Sequence, residues 1–104
     1  MAEWVKVAAA TEVTPGQRKQ LDLDGMAVLL FNVEGEYFAI EDVCTHDGAP
    51  LGNGRFRGDQ ISCPRHGARF NVRTGAALCM PAFEPVTTYP VKVEGNDIFV
   101  EVDL

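Results

Sequence analysis

Two short segments of this chain carry residues able to bind a metal. One is Cys44-Thr45-His46 and the other is Cys63-Pro64-Arg65-His66-Gly67, with sixteen residues between His46 and Cys63. His46 and His66 are the only histidines in the sequence, and each lies within three residues of a cysteine. A lone histidine on a strand is commonly structural. Two Cys/His pairs with no histidine left over point instead to a metal site. Two thiolates and two imidazoles satisfy one tetrahedral zinc. The usual zinc spacing sets two cysteines close together and two histidines close together, however, whereas here each segment offers one of each. That arrangement suits a two-iron cluster in which Cys44 and Cys63 hold one iron and His46 and His66 the other. The third cysteine, Cys79, leaves an odd number, which argues against a disulfide framework.

The segment bearing both motifs differs from its surroundings. Residues 43–83 hold six of the ten glycines and are broken by prolines 50, 64 and 81, so loops are expected there. They carry Arg55, Arg57, Arg65, Arg69 and Arg73 against Asp47 and Asp59, a balance of +3. The remainder stands at -9 and the whole chain at -6. A basic, loop-rich middle set into an acidic scaffold reads as a functional insert. The negative total argues against nonspecific nucleic-acid binding.

The flanking elements that must position this insert read as strands. Trp4 to Val7 is a short extended piece, and Val13-Thr14-Pro15-Gly16 has turn chemistry. Met26 to Val33 has the composition of a strand buried on both faces, and Glu34-Gly35-Glu36 turns it into Tyr37 to Ile40. Thr88 to Val93 places Tyr89, Val91 and Val93 on one side. After the turn at Glu94-Gly95-Asn96-Asp97, residues Ile98, Val100 and Val102 alternate again. Only Ala8 to Glu12 has helical character, for a turn or two. Tyr37, Phe38 and Tyr89 are expected in the core, and Cys79 is expected to be a small buried apolar residue. With 104 residues the chain suits one domain. Its longest apolar run, Met26 to Phe31, is far below the ~20 residues of a membrane span. The acidic start Met1-Ala2-Glu3-Trp4 is unlike a signal peptide, so the cytoplasm is the expected compartment and no membrane partner is expected.

The Cys-x-His and Cys-x-x-His pairs resemble the Rieske [2Fe–2S] motif, and the whole chain resembles small soluble Rieske-type ferredoxins. Outside 43–83 the resemblance rests on strand pattern. It implies an all-β Rieske iron–sulfur fold of antiparallel sheets in a single domain, residues 1–104. A cluster-binding subdomain at about 43–83 would be inserted into a base of 1–42 and 84–104. It implies one [2Fe–2S] cluster per chain, bound by Cys44, His46, Cys63 and His66, with both histidines at an exposed tip. Pro81 resembles the proline of a third, shielding loop. Gly48 and Gly67 suit either close approach of backbone N–H groups to the sulfides or a plain turn.

Charge arithmetic states what such a ligand set achieves. Two ferric ions, two sulfides, two thiolates and two neutral imidazoles sum to zero, whereas an all-cysteine cluster stands at minus two and resists an added electron. Rieske centres accordingly span about -150 to +300 mV against about -400 mV for plant-type ferredoxins. Respiratory Rieske proteins add a cysteine to each half of the motif, joined as a disulfide. Those positions resemble Ala49 and Arg65 here, so that bridge cannot form, and Arg65 is placed to serve recognition. The serine and tyrosine that donate hydroxyl hydrogen bonds in that branch resemble Ala68 and Phe70, which have no side-chain donor. The low-potential, ferredoxin end of the family is therefore expected.

With both histidines committed, the two-histidine, one-carboxylate iron of a Rieske oxygenase cannot be built, so the chain is expected to be no enzyme in itself. The resemblance implies a one-electron carrier between a flavin-dependent, NAD(P)H-oxidising ferredoxin reductase and a terminal oxygenase that dihydroxylates an aromatic ring. Three other readings remain open at this point. They are a small Rieske-like subunit of nitrite reductase, a ferredoxin for iron–sulfur assembly, and a zinc-stabilised interaction module without redox function.

Overall fold

The computed structural model describes residues 2–45, 48–65, 67–80, 82 and 84–103. Among them are ten strands, all paired antiparallel, and one turn of 3-10 helix. In chain order the strands are β1 (Ala2–Ala9), β2 (Arg18–Leu23), β3 (Met26–Val33), β4 (Glu36–Glu41), β5 (Phe56–Arg57), β6 (Gln60–Ser62), β7 (Arg69–Asn71), β8 (Thr88–Tyr89), β9 (Val91–Glu94) and β10 (Asp97–Asp103). They form three sheets, ordered β1-β10-β9, β2-β3-β4-β8 and β5-β6-β7. The expected all-β class is the observed one. No helix among the described residues is long and apolar enough to cross a membrane.

β3 organises the molecule because it is apolar on both faces. Successive side chains of a strand point to opposite sides. Val28 and Leu30 therefore enter one buried cluster with Ala8, Val13, Ala39, Ile98, Val100 and Val102. Leu29, Phe31 and Val33 enter the other, which contains Ile40, Leu51, Ile61, Phe70, Cys44 and Cys63. One strand thus divides a structural core from a core that ends at the two motif cysteines. Each fully buried Leu, Val or Phe side chain stabilises the fold by about 1.5–3 kcal/mol.

Two-residue loops set the register of the central sheet. Leu23 pairs with Met26 and Val33 with Glu36, leaving Asp24-Gly25 and Glu34-Gly35 as connections. All four residues have positive φ (56°, 91°, 52° and 94°), the geometry whose twist matches that of paired strands. Asn32, the one buried polar residue among those described, locks the second hairpin. Its Nδ2 donates to the Val13 carbonyl at 2.9 Å, and its Oδ1 accepts from the Gly35 N–H at 2.7 Å.

Several elements differ from their sequence expectation. β1 runs from Ala2 to Ala9 and not only from Trp4 to Val7, because β10 pairs with its whole length across a bulge between Lys6 and Ala8. The helical turn is therefore confined to Ala10–Glu12. The strand expected over Thr88 to Val93 is two. Pro90 has no N–H for a ladder, β8 pairs with β4, and β9 pairs with β10 in another sheet. Val93 is consequently 46% exposed. Tyr37, Phe38 and Tyr89 are half-buried and pack against the edges of the two clusters.

Candidate metal centre

Cys44 lies beyond the end of β4 and Cys63 immediately follows β6, and the chain makes the same turn at both. The Cys44 N–H donates to the Ala49 carbonyl at 2.7 Å, and the Gly48 N–H donates back to the Cys44 carbonyl at 2.7 Å. Correspondingly, the Cys63 N–H donates to Ala68 O at 2.7 Å and the Gly67 N–H to Cys63 O at 3.0 Å. The offsets of four and five residues are identical. Gly48 and Gly67, at φ 77° and 73°, supply the left-handed residue that each turn needs. No protein atom crowds the place of a Cβ at either glycine, so it is the backbone conformation of the turn that favours glycine within the protein.

Side chains fasten these loops to the scaffold. Asp42 Oδ1 accepts the N–H groups of Leu51 and Gly52 at 2.7 and 2.9 Å, closing the first loop behind Cys44. The Thr45 hydroxyl donates to Glu84 O at 2.8 Å, tying that loop to the segment entering β8. Arg18 Nη1 donates to Gly54 O, and at Gly54 a Cβ would stand 1.7 Å from the Ser62 carbonyl oxygen. β6 thus approaches the 51–54 turn closely enough that only glycine fits, one residue before Cys63.

Cys44 and Cys63 are 0% and 2% exposed and belong to one buried cluster with Leu51, Ile61, Ala68 and Phe70. The surrounding loop residues Gly48, Pro50, Pro64, Arg65 and Gly67 are exposed. Neither cysteine, nor Cys79, forms a disulfide. Ala68 and Phe70 are fully buried in this cluster and bring no hydroxyl to it. His46, His66 and Pro81 lie outside the described residues. Among the described residues no three His, Cys, Asp or Glu side chains converge on one point.

This surrounding fits a thiolate-held iron–sulfur group. Two reduced thiols stand in one apolar cluster, at the bases of two loops of equal hydrogen-bond pattern whose outer residues face solvent. Soft thiolate ligands of this kind are the ones that hold such clusters.

Cys79 departs from its expectation. It is partly exposed, its sulfur lies 3.4 Å from Arg69 Nε, and its thiol faces the Gly67 carbonyl at 3.6 Å. The Arg69 hydrogen bond holds its pKa below the ordinary thiol value. It is polar in its contacts because Leu78 N–H bonds the Arg69 carbonyl, which lays this segment along the edge of β7. The closures by Asp42, Thr45 and Arg18 had no recognisable sequence signal. The close approach at Gly54 had only the weak one of a glycine in a loop.

The Rieske [2Fe-2S] domain model matches residues 3–90. The chain belongs to the Rieske [2Fe–2S] domain family. The naphthalene 1,2-dioxygenase system ferredoxin component of Pseudomonas aeruginosa is 37% identical over 100 residues, 96% of either chain. The 3-phenylpropionate/cinnamic acid dioxygenase ferredoxin subunit of Escherichia coli (strain K12) is 45% identical over 92 residues, 88% of this chain and 86% of that one. A solved complex of reduced oxygenase and oxidised ferredoxin in carbazole 1,9a-dioxygenase contains a chain that superimposes with a TM-score of 0.89 at 36% identity. The match covers 93% of this chain and 91% of that one.

Proposed function

We propose that this protein is the ferredoxin component of a ring-hydroxylating dioxygenase system, carrying single electrons from a flavin-dependent NAD(P)H reductase to a terminal oxygenase. The observation that carries the reading is that the relatedness to dioxygenase ferredoxins spans nearly the whole chain and includes the duplicated cysteine loops. The bound [2Fe–2S] group supplies one-electron storage, and the reading assigns Cys44 and Cys63 to one iron and His46 and His66 to the other. The chain's own part is to bury the two thiolates, hold both loops by backbone hydrogen bonds, and leave the loop rims to solvent where a partner can approach. Burial without hydroxyl donors at Ala68 and Phe70 stabilises the reduced charge little, which favours passing the electron on. Segment 43–83 is the cluster-binding subdomain and residues 1–42 and 84–104 its base in this reading, and the site of action is the cytoplasm.

Reconstitution tests the proposal. Purified protein, a flavin ferredoxin reductase, NADH and a terminal oxygenase are mixed with an aromatic substrate, and diol formation is followed. Formation that requires this protein and is lost with Cys63→Ala supports the carrier role. Equal turnover without it, across the naphthalene, phenylpropionate and carbazole oxygenases, contradicts that role.

A further inference from the structure

The β5-β6-β7 sheet is apolar on one face and basic on the other. Phe56, Ile61 and Phe70 stand opposite one another across the three strands and point into the cluster that contains Cys44 and Cys63. The neighbouring positions necessarily point outward. Ser62 pairs with Arg69 on one side, and its N–H donates to the Arg55 carbonyl on the other at 2.9 Å. Arg55, Ser62 and Arg69 therefore form a row across the sheet, the two arginine backbones roughly 10 Å apart by strand spacing. Arg57 pairs with Gln60 in the next outward row. The small Ser62 between two long side chains leaves a recess of about 460 Å³, lined by all three arginines.

Among the described residues no ion pair neutralises the positive charge of this face. Arg55 and Arg57 have no ion pair among the described residues, and Arg69 spends its Nε on the Cys79 sulfur. Asp59 lies at the recess but is engaged by Arg73 at 3.6 Å and by Asn71 Nδ2 at 3.4 Å. On a chain of net charge -6, a solvent-facing arginine triad is a local reversal of sign. Two exposed apolar side chains, Leu78 (42%) and Met80 (66%), adjoin it, since Leu78 N–H bonds the Arg69 carbonyl at 2.8 Å. An apolar patch beside these arginines has the composition of a protein-docking surface. It directly adjoins the second cysteine loop, because Ser62 precedes Cys63 and Arg69 follows Ala68.

We propose that the outward face of the β5-β6-β7 sheet, bearing Arg55, Arg57 and Arg69, is a docking surface for a redox partner protein that presents clustered carboxylates. The proposal rests on the electron-carrier reading and names the chemistry of the partner. Arginine guanidinium groups engage carboxylates through two parallel hydrogen bonds, fixing orientation as well as adding attraction. Docking here would bring the partner against the Cys63 loop.

The test uses holoprotein and a fluorescein-labelled deca-glutamate peptide, read by fluorescence anisotropy at low ionic strength. Arg55→Gln, Arg57→Gln and Arg69→Gln are combined in one variant. Lys6→Gln, Lys19→Gln and Lys92→Gln form a control with the same change in net charge. Iron content and visible absorption are recorded for both, which separates failure of the cluster from failure of the surface. The proposal expects the peptide to bind wild type, with affinity reduced about tenfold in the arginine variant and less than about twofold in the lysine control, as three exposed pairs allow. Reduction of a terminal oxygenase or oxidation of a reductase should slow in the arginine variant and lose its salt dependence. Absence of peptide binding, an equal loss in both variants, or tighter arginine-dependent binding of inorganic pyrophosphate than of the peptide would overturn it. Peptide binding lost in the arginine variant alone, with electron transfer to no oxygenase, keeps the surface and rejects the carrier reading.

Discussion

Replacing Gly54 by alanine should damage the metal site although Gly54 ligates nothing. The new Cβ would stand 1.7 Å from the Ser62 carbonyl oxygen and 3.1 Å from that of Leu51. Both neighbours are backbone, so neither can swing aside as a flexible side chain would. Restoring even a tight contact requires β6 to retreat by about 1.3 Å, and overpacking of this kind costs about 1–3 kcal/mol. For a domain of this length about 2 kcal/mol lowers Tm by about 8–16 °C. The retreat pulls on Cys63, so iron occupancy should fall together with stability. Gly58→Ala is the comparison: its φ of 65° is also strained for alanine, but its Cβ would meet open space. It should lower stability by about 1–2 kcal/mol, or Tm by about 4–16 °C, and leave iron content unchanged. Thermal unfolding followed by absorption, with iron analysis on each variant, reads both quantities. A Gly54→Ala protein with wild-type Tm and full iron would refute the claim that this backbone contact positions the Cys63 loop.

Asn32→Ala should destabilise the fold by about 2 kcal/mol, since it empties a buried site and removes two hydrogen bonds; urea unfolding giving less than about 0.5 kcal/mol would contradict that. The Cys79 thiol, lowered by the Arg69 hydrogen bond to its charged form, should react with iodoacetamide at lower pH than an ordinary thiol. Arg69→Gln removes that hydrogen bond and should move the reactivity profile to higher pH, and coincident profiles would disprove the pairing. The midpoint potential should lie near the bottom of the Rieske range, about -150 mV, and a value above about +100 mV would show that Ala68 and Phe70 have been misjudged. Phe70→Tyr should raise it by about 40 mV, the equivalent of about 1 kcal/mol for one electron, through a hydroxyl donating to a cysteine sulfur; film voltammetry showing no rise removes that role.

The family was legible because its motif residues are chemically scarce: two histidines, each within three residues of a cysteine, leave few interpretations. Strands with a strict period were legible too, such as Ile98, Val100 and Val102, buried in β10 as alternation requires. β2 went unread because Arg18-Lys19-Gln20 hides the alternation of Leu21 and Leu23, although Asp24-Gly25 was an available hairpin signal. The division of residues 88–94 between two sheets depends on partners far away in sequence, which local pattern does not encode. Cys79 was misjudged for a similar reason. Its neighbour Arg69 is ten positions away and is brought alongside only by the pairing of Leu78 with β7.

Pulsed electron paramagnetic resonance of the reduced protein tests the central claim most directly. Hyperfine couplings to two imidazole nitrogens are expected, with two irons and two acid-labile sulfides per chain, and one coupling should vanish in His46→Ala or His66→Ala wherever a cluster still forms. A colourless protein holding a single zinc, or an iron–sulfur signal without imidazole nitrogen coupling, would contradict the account.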